Sequence, residues 1–563
     1  MPICTNCFSD FEITDEEIKF LERISPVFPA NGTGDGKKFQ IPEPKMCSDC
    51  RLANRTAHRN EQYLHSNKSY ITGKPLISLY SQEAEFSKNY KICTIEEWWS
   101  DSWDALDYGQ DFDFNRPFFE QFYELSMKIP HANLMQMNNE NSPYSTGTAY
   151  CKNCHMINCS ENDENCYYGK LIQSCRDIMD SDYVYDSELI YGSFYVRKCY
   201  NCKYVSYCQD CTDCLFSENL RGCKNCFLCT NLINKEFCYL NQQLSKEEYQ
   251  EKVKNVLASP ELLKECFTLL DDLRKKRIYK FANVVNCDNS TGDLLINCRN
   301  CTDCFEVNDS QDCKYVTVGV NTQDLIDCSN MYLKPEFCYQ TLGTIGVFNV
   351  NFCLYVFNSH DVWYSDFCFN CENLFGCSGL RNKKYCIFNK QYSREEYEVL
   401  VAKIIEHMTQ TQEWGQYFPI KYSPFGYNES VAGLYLPLTK EQAKAKGYNW
   451  QDSDPREYKP QNYVVPEKIS DVKDDILNEI LACAKCGKNY KIISQELKRL
   501  REIDFPIPKR CPNCRQEERM KLHNPRKVWY RKCMNCGKDI ATTFAPEREE
   551  KVYCEECYLA EVY

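Results

Sequence analysis

From residue 151 the chain repeats one pattern of small apolar and polar positions every twelve residues. CKNCHMINCSEN, DENCYYGKLIQS, CRDIMDSDYVYD, SELIYGSFYVRK, CYNCKYVSYCQD, CTDCLFSENLRG, CKNCFLCTNLIN and KEFCYLNQQLSK stand in register. The first column holds Cys151, Cys175, Cys199, Cys211 and Cys223. The fourth holds Cys154, Cys166, Cys202, Cys214, Cys226 and Cys238, with Ile178 and Ile190 in two gaps. Columns that accept Cys or Ile call for small apolar groups facing inward. A period of twelve is too short for helix-pair repeats of about 33 residues and suits one coil of a narrow β-solenoid. Asn153, Asn201, Asp213, Asn225, Asn300, Asp303 and Asp312 precede many of these cysteines; such residues tolerate left-handed corners and stack into ladders. At the strand spacing of about 4.8 Å per coil, eight coils span roughly 40 Å.

The frame resumes at Asn289 with NSTGDLLINCRN and CTDCFEVNDSQD, slips by one residue after Phe337, and runs on through Cys338, Cys353, Cys377 and Cys386. A longer duplication lies over the coils, because CTNLINKEFCYLNQQLSKEEY from Cys229 matches CSGLRNKKYCIFNKQYSREEY from Cys377 at an offset of 148. Each copy ends in a helical pattern. Ser245-x-x-Glu248 and Ser393-x-x-Glu396 are capping boxes, and Tyr249, Val253, Val256 and Tyr397, Leu400, Val401, Ile404 give helical apolar spacing. These helices are expected to cap or interrupt the solenoid.

Composition changes the picture in one respect: 40 of 563 residues are Cys, mostly in C-x2-C pairs. Cys483-x2-Cys486 with Cys511-x2-Cys514, and Cys533-x2-Cys536 with Cys554-x2-Cys557, have the four-thiolate layout of treble-clef or zinc-ribbon fingers. Cys4-x2-Cys7 with Cys47-x2-Cys50 repeats it at the other end, where PEPKMCSDCR echoes PIPKRCPNCR. About three Zn2+ per chain are expected from these twelve ligands, in closed structural sites. Iron in a rubredoxin-like site is the alternative for the fingers. Tandem zinc knuckles or an iron–sulfur run through Cys223, Cys226 and Cys229 are the alternatives for the repeat. In register with the last finger, Ser69, Thr72, Cys93 and Glu96 take the ligand positions of a fourth, and one thiol of four predicts no zinc there.

Charge is unevenly spread. The net charge is -13, yet the stretch from Cys483 to Tyr563 has 18 Lys and Arg against 12 Asp and Glu. Lys509, Arg510, Arg515, Arg519, Lys521, Arg526, Lys527, Arg531 and Lys532 interleave with Trp529 and Tyr530. Phosphate attraction with base stacking is how zinc modules hold single-stranded nucleic acid, so RNA or a ribonucleoprotein is an expected partner. A solenoid serving as a protein-interaction scaffold is the alternative. Residues 96–120 carry eight acidic side chains and one Arg among seven Trp and Phe residues. Asp104, Asp107, Asp111 and Asp113 there are the weak candidates for a carboxylate-pair hydrolase of the glycosidase kind; docking aromatics and turn-capping acids are the plainer reading. No Walker loop or dinucleotide fingerprint occurs. The N-terminus has no basic region followed by an apolar one, and no run approaches the roughly 18 apolar residues of a spanning helix, so a cytoplasmic protein with reduced thiols and no membrane partner is expected.

Taken together, CTNCFSDFEIT, CSDCR, ITGKPLISLYS, WWSDSWDALDYGQDFDFNRPFFEQF and CSGLRNKKYCIFNKQYSREEY resemble an uncharacterised cysteine-rich zinc-ribbon family of candidate-phyla bacteria over nearly the whole chain. The resemblance implies zinc binding and a shared architecture, and no activity. The expected fold is mixed and mainly β. A finger pair at 1–95 and an acidic, aromatic linker at 96–150 precede solenoid halves at 151–244 and 287–392. A helical insertion at 245–286 separates the halves, a capping helix at 393–412 and a linker at 413–482 follow, and a second finger pair fills 483–563. A non-enzymatic binding protein is the expected role, with carbohydrate-active or iron–sulfur redox enzymes as the remaining alternatives.

Overall fold

A computed structural model describes residues 1–29, 36–319, 329–332, 339–452 and 458–562. Cys338, and the frame slip after Phe337, lie outside the described residues. The fold is mixed α/β, with clusters of cysteines at both ends of the chain.

The repeat segments pair in parallel with partners twelve residues apart. His155 faces Tyr167, Lys170 faces Asp182, Phe194 faces Ser206 and Cys226 faces Cys238. On another side of the same turns Glu164, Arg176, Glu188 and Tyr200 bridge in succession, and on another Met179, Tyr191, Lys203 and Leu215. Backbone φ is positive at every third residue, as at Asn153, Met156, Cys159, Asn162, Asn165 and Tyr168. Each twelve-residue turn is therefore built of four three-residue edges, each with its own left-handed residue. Asn and Asp accept that conformation readily, whereas Tyr183, Leu189 and Phe216 adopt it because stacked neighbours impose it.

An inner period of three follows. Cys151, Cys154, Ile157 and Ser160 all face inward and are buried, as are Asp163, Cys166 and Ile172 of the next turn. Gly169 fills the remaining position, where a Cβ would lie 2.2 Å from the Ser181 carbonyl oxygen. The inward group has a bonding task as well as a size limit, because its own N–H points along the stack. The Cys154 thiol donates to the Lys152 carbonyl at 3.3 Å, and its sulfur accepts the Cys166 N–H one turn later at 3.4 Å. Ser160 does the same with the Asn158 carbonyl and the Ile172 N–H. Cys and Ser alternate in these columns because both satisfy the two backbone groups within a narrow interior. Outside, Asn165 donates to Asp177, Asn201 to Asp213 and Asn300 to Asp312, all one turn on.

The second stack repeats the arrangement, for example His360 with Glu372 and Leu374 with Cys386. Each stack closes with an antiparallel hairpin, Gln242–Gln243 on Glu236–Tyr239 and Lys390–Gln391 on Lys384–Ile387. Helices Lys246–Leu257 and Arg394–Gln410 follow, each opened by the expected capping box at Ser245 or Ser393. Segment 96–120 packs on the second stack. Trp98 meets Phe367 edge-on at 4.8 Å, and Phe118 meets Tyr364 and Phe388 at 5.4 and 5.2 Å. Its acids cap and pair: Asp104 accepts the Leu106 N–H and pairs with Lys383, Asp113 accepts the Asn115 N–H, and Asp111 pairs with Lys390. The 413–482 stretch folds back on the rest, burying Trp414, Tyr417 and Phe418 in the core around the second stack and packing Tyr427 and Ala432 with Ala57. No helix among the described residues is long and apolar enough to cross a membrane.

Candidate metal centres and the basic face

Each cysteine set is assembled from a knuckle and a helix start. In the knuckles the N–H of Phe8, Gly487 and Gly537 bonds back to the carbonyl of Cys4, Cys483 and Cys533 at 3.0, 2.9 and 2.9 Å. That turn needs positive φ, supplied by Gly487 at 73° and Gly537 at 77°, and by Phe8 at 62° where no glycine stands. The second pair sits where a helix begins: Cys47 precedes Ser48–Thr56, Cys511 precedes Pro512–Met520, and Cys554 precedes Glu555–Val562.

Within each of the sets Cys4/Cys7/Cys47/Cys50, Cys483/Cys486/Cys511/Cys514 and Cys533/Cys536/Cys554/Cys557, the sulfurs lie within 4.8 Å of one another. Contacts between the pairs are 3.7 Å for Cys7 with Cys47, 3.8 Å for Cys486 with Cys511 and 3.7 Å for Cys536 with Cys554. A tetrahedron of thiolates at about 2.3 Å from a zinc ion has edges of about 3.8 Å, so the donor sets fit a tetrahedral metal ion. The thiols of a set do not shift together: the Cys47 thiol pushes Cys50 up, and burial pushes Cys514 up and Cys511 up to about 11, while at least one thiol of each set is held down. The neighbouring Cys50 thiol holds Cys47 down to about 5 against burial. Burial alone would raise Cys483 and Cys533, but backbone N–H groups, from Cys486 and Cys511 and from Cys536 and Cys554, hold each at about 6. Four protein ligands leave no open coordination position, which suits a structural role rather than Lewis-acid catalysis.

The fourth position keeps the knuckle, with the Gly73 N–H on the Ser69 carbonyl at 2.8 Å, and replaces the thiols. The Ser69 and Thr72 hydroxyls donate to the two oxygens of Glu97 at 2.7 and 2.6 Å, and the Thr94 N–H donates to the same carboxylate. Burial would raise this carboxyl, and those donors hold it below the ordinary range. The group in the fourth ligand's place is thus Glu97 rather than Glu96, which is exposed. Cys93 turns away to the His131 carbonyl, and burial pushes its thiol up to about 12.

The basic run divides. Arg515, Arg519 and Arg526, expected on a nucleic-acid face, are buried against acids of the stacks. Arg515 meets Asp180 at 2.6 Å and Glu496 at 3.0 Å, Arg519 meets Asp182 at 2.7 Å and Asp180 at 3.2 Å, and Arg526 meets Glu306 at 2.6 Å. Their guanidinium groups cannot reach a phosphate without dismantling these pairs, which corrects that part of the expectation. Lys509, Arg510, Lys521, Lys527 and Lys532 stay on the surface, as does Tyr530, which is 77% exposed, while Trp529 and Arg531 are half-buried. Several of these have neighbours: Lys521 and Arg510 at Glu518, Lys527 at Asp49, and Lys532 at Asp539.

Sequence reasoning missed the acids that receive the arginines. Asp180, Asp182 and Glu306 occupy outward positions of the turns, and the available signal was charge in a frame whose neighbours are aromatic. It also missed how the ends dock. The N-terminal finger meets the second stack, with Glu17 on Lys314 at 2.9 Å and Arg51 over the Tyr315 ring at 5.6 Å. The C-terminal finger meets the first stack, with Glu496 on the Tyr168 hydroxyl at 3.0 Å and Arg515 over the Tyr168 ring at 5.0 Å. The following modules pair in parallel with the strands that lead into the stacks, Lys91–Cys93 with Pro130–Ala132 and Lys551–Tyr553 with Ile278–Lys280. The two ends thus grip the repeats in the same way, each touching both halves.

No family model matches the chain, and no curated protein does. Among solved structures it is similar to one described as "putative acetyltransferase from Desulfovibrio desulfuricans G20", at 10% identity, over 42% of this chain and 60% of that one, with a TM-score of 0.10. The chain thus matches less than two thirds of that protein's length, and at that score the likeness carries no argument about fold or activity.

Proposed function

We propose that the protein is a zinc-stabilised, non-enzymatic scaffold for protein partners in a reducing cytoplasm. In this reading the stacks are two halves of a Cys-filled β-solenoid, and the zinc-ribbon or treble-clef fingers are clamps that hold them together. The observation that carries it is the pairing of three closed four-thiolate sets with buried arginines that fasten the finger helices to the repeats. Closed sites and neutralised acids describe a holding device. Asp111 and Asp113, the carboxylates of the hydrolase alternative, are engaged by Lys390 and by the local Asn115 turn. Metal analysis of anaerobically purified protein is the test, with about three zinc ions and no iron per chain expected. Zinc well above three would overturn the reading and turn the repeat cysteines into ligands, and stoichiometric iron would overturn it by putting iron in the fingers or the repeat.

A second reading, contact with RNA or a ribonucleoprotein, is favoured by the exposed Tyr530 among surface lysines. Replacing Lys509, Lys521 and Lys532 with Ala is then expected to weaken single-stranded RNA binding and to lower the salt slope by up to about 2, at roughly 0.7 per phosphate contact. Unchanged affinity and slope across a salt titration would remove the reading.

A further inference from the structure

A cavity of about 50 Å³ lies where the Phe118–Lys128 helix, the 79–90 loop and residues 418–425 meet the second stack. By the volume that one buried water needs, this is room for roughly four water-sized groups. Its wall is mostly aromatic. Tyr80 stacks with Tyr90 at 5.7 Å and tilts against Phe425 at 5.3 Å, and His131 stands edge-on to Tyr90 at 5.1 Å. Into this wall the stack places one carboxyl, Asp366, whose Oδ1 is fully buried and has no hydrogen-bond partner among the described residues.

The cations of this region lie behind the tyrosines, Arg59 over the Tyr355 ring at 5.9 Å and paired with Glu61, and Arg55 toward Tyr417; the groups that share the cavity wall with Asp366 offer it no charge. His58 and His131 give a ring nitrogen to the Phe418 and Ser126 carbonyls, and burial holds both down to about 4, so they are neutral. Burial raises Tyr80, Tyr90, Tyr355 and Tyr417, and the Cys353 thiol with them, so they keep their protons. Burial pushes Asp366 itself up to about 7, against the backbone N–H groups of Tyr355 and Phe367. An orphan carboxylate oxygen is costly in such a place unless a cation completes it. Inorganic cations want several oxygens, whereas rings around one acid suit a cation with a greasy exterior.

We propose that this cavity binds a small methylated ammonium group, with its charge against Asp366 and its methyl groups against the rings of Tyr80, Tyr90 and Phe425. The half-buried Tyr80, Tyr123 and Tyr422 form the side through which it would enter. Calorimetric titration of the full chain with tetramethylammonium, beside the neutral tert-butanol, tests this. Saturable binding of the cation, at least about tenfold weaker in Asp366→Asn and absent for the alcohol, is expected. Should the variant fail to fold, the unmodified protein still decides. Protonation of a carboxyl near 7 predicts an affinity that falls about tenfold between pH 8 and pH 6. No saturable binding, equal binding of the alcohol, or affinity indifferent to pH would overturn the proposal and leave a water-filled or merely apolar cavity.

Discussion

Replacing Cys511 and Cys514 with Ser is expected to unfold the first C-terminal finger, whereas the thiol-free N-terminal knuckle at Ser69 stays intact when metal is removed. The reason lies in what each module buries. Around the Cys483 set the local apolar cluster consists of Cys483, Cys511 and Cys514, with Tyr490 packed against them, so the ligands are themselves the core. A module with so little apolar area depends on its metal for folding, and metal binding in such domains is worth on the order of 10 kcal/mol. Without the thiolates the Pro512–Met520 helix loses the anchor that aims Arg515 and Arg519 at Asp180 and Asp182. The Ser494–Ile503 helix should hold longer, because Leu497 and Leu500 belong to the core beneath it. Limited trypsin digestion, with cleavage sites read by mass spectrometry, should show new cuts at Arg515 and Arg519, and chelation of the native protein should reproduce them. At Ser69, Thr72 and Glu97 the convergence is made by hydroxyls on a carboxylate, so protection of 65–99 should survive chelation. Protection of 511–532 that persists after metal release has been measured would show that the ion does not hold the finger.

The contrast between these two knuckles shows what a sequence discloses. C-x2-C pairs outside the twelve-residue frame picked out the three four-thiol sets that the structure brings together, whereas the same spacing inside the frame marks inward packing positions. The departure at Ser69 and Thr72 was equally visible, but the choice of Glu97 over Glu96 was not. It depends on the Thr94 capping turn, which swings the third residue of the helix back toward the knuckle. In the repeat, two of four inward columns were legible because Cys concentrates there. The others mix Ile, Val, Leu, Gly, Ser and Cys, residues that are either apolar or small enough to bond the backbone inside a narrow turn. The basic run was the misleading signal. A count of charge cannot tell an arginine that faces solvent from one that meets an acid far along the chain, and Arg515, Arg519 and Arg526 meet theirs at separations of 335, 337 and 220 residues.

Arg526 makes that distinction measurable. Its substitution by Ala is expected to cost about 3–5 kcal/mol of stability, the penalty for leaving a buried charge without its partner. Glu306 is the charge left behind. Burial would raise its carboxyl, and Arg526 with His523 outweighs burial and holds it near 2. A carboxyl depressed below its unfolded value of about 4.3 adds stability that is complete above that value and lost as pH falls toward 2. In the variant the sign reverses, since a buried carboxyl without a guanidinium prefers its proton, and the folded state then gains as pH falls. The deficit between the two proteins should therefore be widest near neutral pH and narrow on acidification. His523, whose Nε2 lies 2.6 Å from the same carboxylate, stays beside it in both proteins. Arg526 also covers the Tyr435 ring at 3.6 Å, and loss of that packing would cost stability at every pH alike. Denaturant midpoints for both proteins from pH 8 to pH 4 separate the two. A constant deficit would assign Arg526 to packing alone, whereas a narrowing one makes it the charge that fastens the C-terminal fingers to the second stack, so that any loss of RNA binding on its replacement reports a released clamp rather than a lost phosphate contact.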